Sequence, residues 1–272
     1  MLDYDPTPSD KVHPEPFLKL PFKEKDARHS LVPDNGYQMA ADEIPIAGSA
    51  DHKALDFVFA KTKDYGYGLP IVAAAAGRAY YTYQYITGEW TDPKTGKVHL
   101  LGYGAGLVVE VRHQDANGQP SGWVTQYIHL SEVSAGIPYL VPQPVGQHDW
   151  NPVGLIQSNE QLWNQGVPVA AGQQIGLQGD TGIGDNWWDN FDPNTGKVTP
   201  RDRQKYKPWD PPQLHFQLYQ GRVDGVKQNI IDPLDVYGRA YPEFNPYGTP
   251  GNICFGPQSV FMASDGKLLY AA

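Results

Sequence analysis

Eight histidines are spread over 272 residues, and three of them stand where an imidazole could serve metal coordination or proton transfer. In DHKALDF (51–57), His52 and Asp56 are four residues apart. A fully extended chain would separate them by about 13 Å, too far to share one ion, so if both are ligands the chain bends at Lys53 and Ala54 before LDFVF continues as a strand. In PPQLHFQLY (211–219), Leu214, Phe216 and Leu218 alternate with Gln213, His215 and Gln217. One strand face is then core, and the other presents an imidazole between two amides. In TQYIHLS (125–131), Thr125, Tyr127 and His129 are expected on one face, opposite Gln126, Ile128 and Leu130, with His129 near the end of its strand. Each histidine taken alone reads as readily as a solvated or structural side chain. His13, His29, His99, His113 and His148 have no partner at ligand spacing and read as surface or structural residues.

These segments sit in a chain whose text is mostly strand. Short apolar or alternating runs recur between turn signals: LDFVFA (55–60), IVAAAA (71–76), AYYTYQYI (79–86), GLVVEVRH (106–113), WVTQYIHL (123–130), QIGLQG (174–179) and LHFQLY (214–219). The pattern predicts an all-β, mainly antiparallel fold joined largely by hairpins. Short helices are expected only around Ser158–Trp163 and after Asp232, where Pro233–Tyr237 begins with proline at the first helical position. One heptapeptide occurs almost twice, DPKTGKV (92–98) and DPNTGKV (192–198). Both copies read as hairpin tips, because a repeat architecture needs longer self-similarity and a calcium loop needs more than one carboxylate. Residues 183–212 carry Trp187, Trp188 and Trp209 in a connection long enough to form a binding surface or a hydrophobic cap on the sheet.

Composition limits the function further. With 29 Gly and 25 Pro, about one residue in five favours turns over long helices. Apolar residues at 40% and charged residues at 19% supply enough core material to exclude a disordered chain. A net charge of −9 argues against nucleic acid as partner. The single cysteine, Cys254, permits no intrachain disulfide. The longest clean apolar run, Ile71 to Ala76, is far shorter than the roughly 20 residues of a membrane span, so no transmembrane segment is expected. The glycine-rich run GQQIGLQGDTG (172–182) lacks the Gly-Lys-Ser/Thr ending of a phosphate loop, so its glycines are assigned to tight turns.

In this order, the segments resemble the lysostaphin/LytM-type zinc metallopeptidases, enzymes that cut the peptides of bacterial peptidoglycan. The family's signature is His-x-x-x-Asp, a later Tyr-x-His-Leu, a Gly-Gln-x-Ile-Gly-x-x-Gly-x-Thr-Gly run and His-Leu-His-Phe. Here these read HKALD (52–56), YIHL (127–130), GQQIGLQGDTG (172–182) and QLHF (213–216). GLPIVAAAAGRAYY (68–81) and GLVVEVRH (106–113) resemble the linking strands, and LKLPF (18–22) a common lead-in. The resemblance spans residues 18–240, which leaves 1–17 as an extended lead-in and 241–272 as a C-terminal extension.

Several expectations follow from the resemblance. It implies one zinc ion per chain on His52, Asp56 and His215, with the fourth tetrahedral position left to water, as in catalytic zinc sites. It puts His129 beside the reacting centre, where an imidazole can exchange protons near neutral pH. Gln213 stands where the family has the first His of His-Leu-His. Its amide can donate a hydrogen bond but cannot titrate, which implies a weakened or retuned enzyme. Trp187, Trp188 and Thr181 are the expected substrate contacts. The implied function is a monomeric zinc endopeptidase acting on stem or cross-bridge peptides of the wall; the alternative is a catalytically silent domain of the same fold that binds wall peptide or regulates another hydrolase. The implied location is extracellular or in the cell envelope. Met1-Leu2-Asp3-Tyr4-Asp5 lacks the features of a secretory signal, so an intracellular site or a phage-type release route stays open.

Overall fold

The computed structural model describes residues 14–23, 31–35, 54–59, 62–91, 98–140, 159–182, 191–192, 195–198, 212–220, 230–231, 233 and 259–262. Strands run over Leu31–Asn35 (β1), Leu55–Phe59 (β2), Pro70–Val72 (β3), Gly77–Thr91 (β4), Val98–Gln114 (β5), Pro120–Leu130 (β6), Glu132–Val133 (β7), Val167–Val169 (β8), Gln174–Leu177 (β9), Phe191–Asp192 (β10), Lys197–Val198 (β11), Leu214–Gln220 (β12) and Ile230–Ile231 (β13). A single α-helix, Asn159–Gln165 (α1), is present among the described residues. Every strand pairing among them is antiparallel; only the isolated bridges Leu18–Phe261 and Tyr81–Tyr139 run parallel. The all-β, mainly antiparallel reading therefore holds.

The main sheet has eight strands in the order β1-β2-β12-β6-β5-β4-β8, with β13 paired to β12. Its long β4–β5 ribbon starts from sequences rich in β-branched and aromatic residues, which favour the pleated strand conformation. Leu55, Phe57 and Phe59 of β2, Leu214, Phe216 and Leu218 of β12, and Val109 and Val111 of β5 all turn to one face and join the core. A three-stranded sheet, β3-β9-β7, adds Ile71 and Ile175 to the same core. Phe216 sits near its middle, with ring centroids 5.3 Å from Tyr127, 5.9 Å from Phe261 and 6.3 Å from Phe57. Each such side chain, fully buried, contributes about 1.5–3 kcal/mol. Val260 and Phe261, from the segment read in sequence as an extension, are part of this core, and their backbone pairs with Phe17 and Leu18.

Three local features differ from the sequence reading or sharpen it. The strand expected through IVAAAA stops at Val72, because the next alanines are pinned crosswise: Ala73 N–H donates to Gln173 O (2.9 Å) and Ala74 N–H to the Tyr127 hydroxyl (2.7 Å). The expected helix near Ser158–Trp163 lies over Asn159–Gln165 and seats Leu162 against Tyr80. The two DPxTGKV segments do mark hairpins. Thr91 pairs with Val98 across the first, and at the second Gly196 N–H donates to Asp192 O (2.8 Å) with Gly196 at φ +68°. The Pro233–Tyr237 helix lies outside the described residues except for Pro233.

The other face of the central strands carries a buried polar cluster. The Glu110 carboxylate accepts hydrogen bonds from Tyr80, Tyr219 (2.9 Å) and Gln126 (2.8 Å), and Arg112 lies 3.8 Å away. These side chains come from β4, β5, β6 and β12, so one carboxylate ties four adjacent strands. Burial, followed by the Glu110 charge, raises both phenols well above their ordinary pKa and keeps them as donors.

His113 gives the fold a pH dependence. It is 1% exposed, with Nε2 2.9 Å from the Thr125 hydroxyl and Nδ1 3.3 Å from Ala76 O. Burial lowers its pKa from 6.5 to about 4, although carbonyl contacts from Ala76 and Ala75 pull the other way. The unfolded chain takes up this proton below pH 6.5 while the native protein refuses it until about pH 4. Stability is therefore complete above pH 6.5 and falls by about 3 kcal/mol as pH drops to 4. Urea unfolding at pH 7.5 and 4.5 should show most of that loss in the wild type and a smaller one in His113→Asn; equal losses would remove His113 as the cause.

Candidate metal and acid-base site

Asp56 lies in the middle of β2 and His215 near the start of β12, and the antiparallel register sets them directly opposite each other. Their strand neighbours Leu55, Phe57, Leu214 and Phe216 fill the core, so both polar side chains leave by the opposite face. His215 Nδ1 is 2.9 Å from Asp56 Oδ1, with the side chains 18% and 5% exposed. On the other edge of β12, His215 pairs with Ile128 of β6. The His129 ring stands edge-on to that of His215, with centroids 5.7 Å apart at 78°.

His129 reaches this place by a departure from alternation. Tyr127 pairs with Val109 and Leu130 with Leu107, so Ile128 and His129 together oppose the single residue Val108. This is a β-bulge, and His129 carries its strained residue at φ +65°. The sequence reading grouped His129 with Thr125 and Tyr127; the extra residue instead returns Leu130 to the core and frees His129 to meet His215. His129 Nδ1 lies 2.8 Å from Thr181 O. A carbonyl only accepts, so in this hydrogen bond Nδ1 carries the proton.

The loop after β9 stitches this end of the sheet. Gln213 N–H donates to Gly179 O (3.2 Å), and Gln213 is largely buried. Gly179 is required here, since a Cβ would stand 2.3 Å from Ser131 N. The Gln178 amide donates to Pro212 O (3.2 Å) and to Tyr65 O (3.0 Å). Tyr65 belongs to the 3-10 turn Lys63–Gly66, in which Asp64 and Tyr65 have φ of +55° and +52°. The Tyr65 side chain is exposed. Neither the Gln178 tether nor the Tyr65 turn was anticipated; the closely spaced glycines of DYGYG are the only signal for the turn.

The donor chemistry suits zinc. A carboxylate oxygen and an imidazole nitrogen are both donors that zinc takes, and their 2.9 Å separation is near the about 3.3 Å between two ligands of a tetrahedral ion. Among the described residues no three His, Cys, Asp or Glu side chains form a metal-holding group. His52, the third expected ligand, lies outside the described residues, as do Trp187 and Trp188. Thr181 is described, and its hydroxyl bonds backbone on both sides, accepting from Leu107 N–H (2.9 Å) and donating to Leu130 O (2.6 Å). No helix among the described residues is long and apolar enough to cross a membrane.

No protein-family model and no curated protein matches the chain. Solved structures to which it is similar include a zinc-containing peptidase from Vibrio cholerae, at 16% identity over 80% of this chain and 39% of that one, TM-score 0.33. They include the antimicrobial peptidase lysostaphin from Staphylococcus simulans, at 17% identity over 84% of this chain and 58% of that one, TM-score 0.37. A third is the catalytic domain of the prophage-encoded protein EnpA from Enterococcus faecalis, at 14% identity over 76% of this chain and 94% of that one, TM-score 0.34. The chain spans less than two thirds of the length of lysostaphin and of the Vibrio cholerae peptidase.

Proposed function

We propose that this protein is a zinc-dependent endopeptidase that hydrolyses peptide bonds in bacterial cell-wall peptidoglycan. One observation supports the reading above all: the Asp56 carboxylate and the His215 imidazole lie side by side at 2.9 Å with the His129 ring against His215. Asp56 and His215, with His52 supplied by the HKALD motif, would hold the ion. Zinc bound there would supply Lewis acidity toward the peptide carbonyl and toward water at neutral pH. His129, whose Nδ1 donates to the Thr181 carbonyl, can take a proton during attack and return it to the departing amine. The Gln213 amide can donate a hydrogen bond to developing negative charge without changing its own protonation. A cell-envelope or extracellular site of action agrees with a wall substrate.

The test pairs zinc analysis of the purified protein with identification of the peptides it releases from intact wall material. One zinc per chain with soluble peptide released is the expected result; neither zinc nor release, with no change on His215→Ala, would sink the reading. A second reading, a silent domain that binds wall peptide, is favoured by Gln213 alone. The two separate on variants: Gln213→Ala should keep measurable release while His129→Ala should not. Wall binding by the wild type without turnover would favour the silent domain.

A further inference from the structure

We propose that Thr181 is a positioning residue, a wedge that holds the β5–β6 bulge open and sets both the orientation and the tautomer of the His129 ring. Where two residues of β6 oppose one of β5, the ladder cannot close by itself, and a polar group must satisfy the separated backbone. The Thr181 hydroxyl does this at the pair Leu107–Leu130, accepting from Leu107 N–H at 2.9 Å and donating to Leu130 O at 2.6 Å. The carbonyl of the same residue takes the His129 Nδ1 proton at 2.8 Å. Hydroxyl and carbonyl are therefore fixed to the two ends of one strained element, and His129 at φ +65° lies between them.

Space for the wedge comes from Gly106. A Cβ there would stand 2.4 Å from the Thr181 carbonyl carbon, carbonyl oxygen and hydroxyl, and Gly106 itself is at φ +64°. Thr181 is 9% exposed and both of its polar groups are engaged by the protein. Its role is accordingly to aim His129 rather than to contact substrate. The contact with the Thr181 carbonyl commits Nδ1 as a donor. This role rests on the reading of His129 as the proton-exchanging group, whereas the tautomer it sets can be observed without any activity.

The experiment is histidine ring nitrogen NMR on the full chain at pH 8.5, prepared without metal and then with zinc, alongside peptide-release kinetics. The wild type should show His129 protonated at Nδ1 in both preparations. Thr181→Val, which keeps the shape and removes the hydroxyl, should give mixed tautomers and a kcat at least 10-fold lower, with KM within about threefold and zinc content unchanged. Thr181→Ser should restore both tautomer and kcat. Wild-type His129 protonated at Nε2 would overturn the proposal without recourse to any variant, as would a Thr181→Val protein with wild-type tautomer and kcat. Absence of peptide release with the Nδ1 tautomer present would count against the enzyme reading alone and leave the wedge standing.

Discussion

His215→Ala should leave a protein that no longer retains stoichiometric zinc and whose peptide release has fallen by at least about 10³-fold. The Lewis acidity of a bound ion is worth several kcal/mol in such reactions, and each 1.36 kcal/mol is tenfold in rate. His215 is one of only two described groups in the proposed ligand set, and it lies directly against Asp56. Removing the imidazole also takes a close partner from a carboxylate that is 5% exposed, so the variant should be less stable as well as inactive. Zinc added to the wild type should raise Tm by linkage, since the ion binds the folded chain, and the same addition should not move the variant. Plasma mass spectrometry for metal content and a thermal shift with and without zinc provide the check. A variant that keeps one zinc per chain would exclude His215 as a ligand.

His129→Asn should separate proton transfer from metal binding. Asparagine tolerates the left-handed backbone that His129 adopts at φ +65°, so the bulge survives, but its amide cannot titrate. A positioned general acid or base is usually worth 10²- to 10⁴-fold, and kcat should fall within that range while zinc content is unchanged. Loss of zinc in this variant would instead make His129 a ligand, and unchanged kcat would remove it from the chemistry. The contrast with His215→Ala is informative because the two rings are only 5.7 Å apart, centroid to centroid, yet are expected to fail in different ways.

The parts of this arrangement that were legible in the amino-acid text are those governed by local periodicity. Alternation in LHFQLY is enough to send Leu214, Phe216 and Leu218 inward and His215 outward, and LDFVF does the same for Asp56 between Leu55 and Phe57. A two-residue period fixes a face without reference to any distant residue. The turn chemistry of DPxTGKV is equally local, and both copies join antiparallel strands. The order of the motifs was also enough to suggest which side chains work together.

Register lay beyond that reach. That Asp56 faces His215 depends on how β2 slides along β12, and such slippage is set by packing across the whole sheet. His129 is the clearest case, because alternation alone grouped it with Thr125 and Tyr127. Its actual place depends on one extra residue accommodated against β5 and on a threonine 52 residues further along that fills the gap. The strand that ends early at Val72 has the same origin: Tyr127 and Gln173, remote in the chain, claim the Ala73 and Ala74 backbone amides. A polypeptide carries its face preferences residue by residue, but a bulge or a crossed hydrogen bond is settled by partners that meet only after the chain has folded.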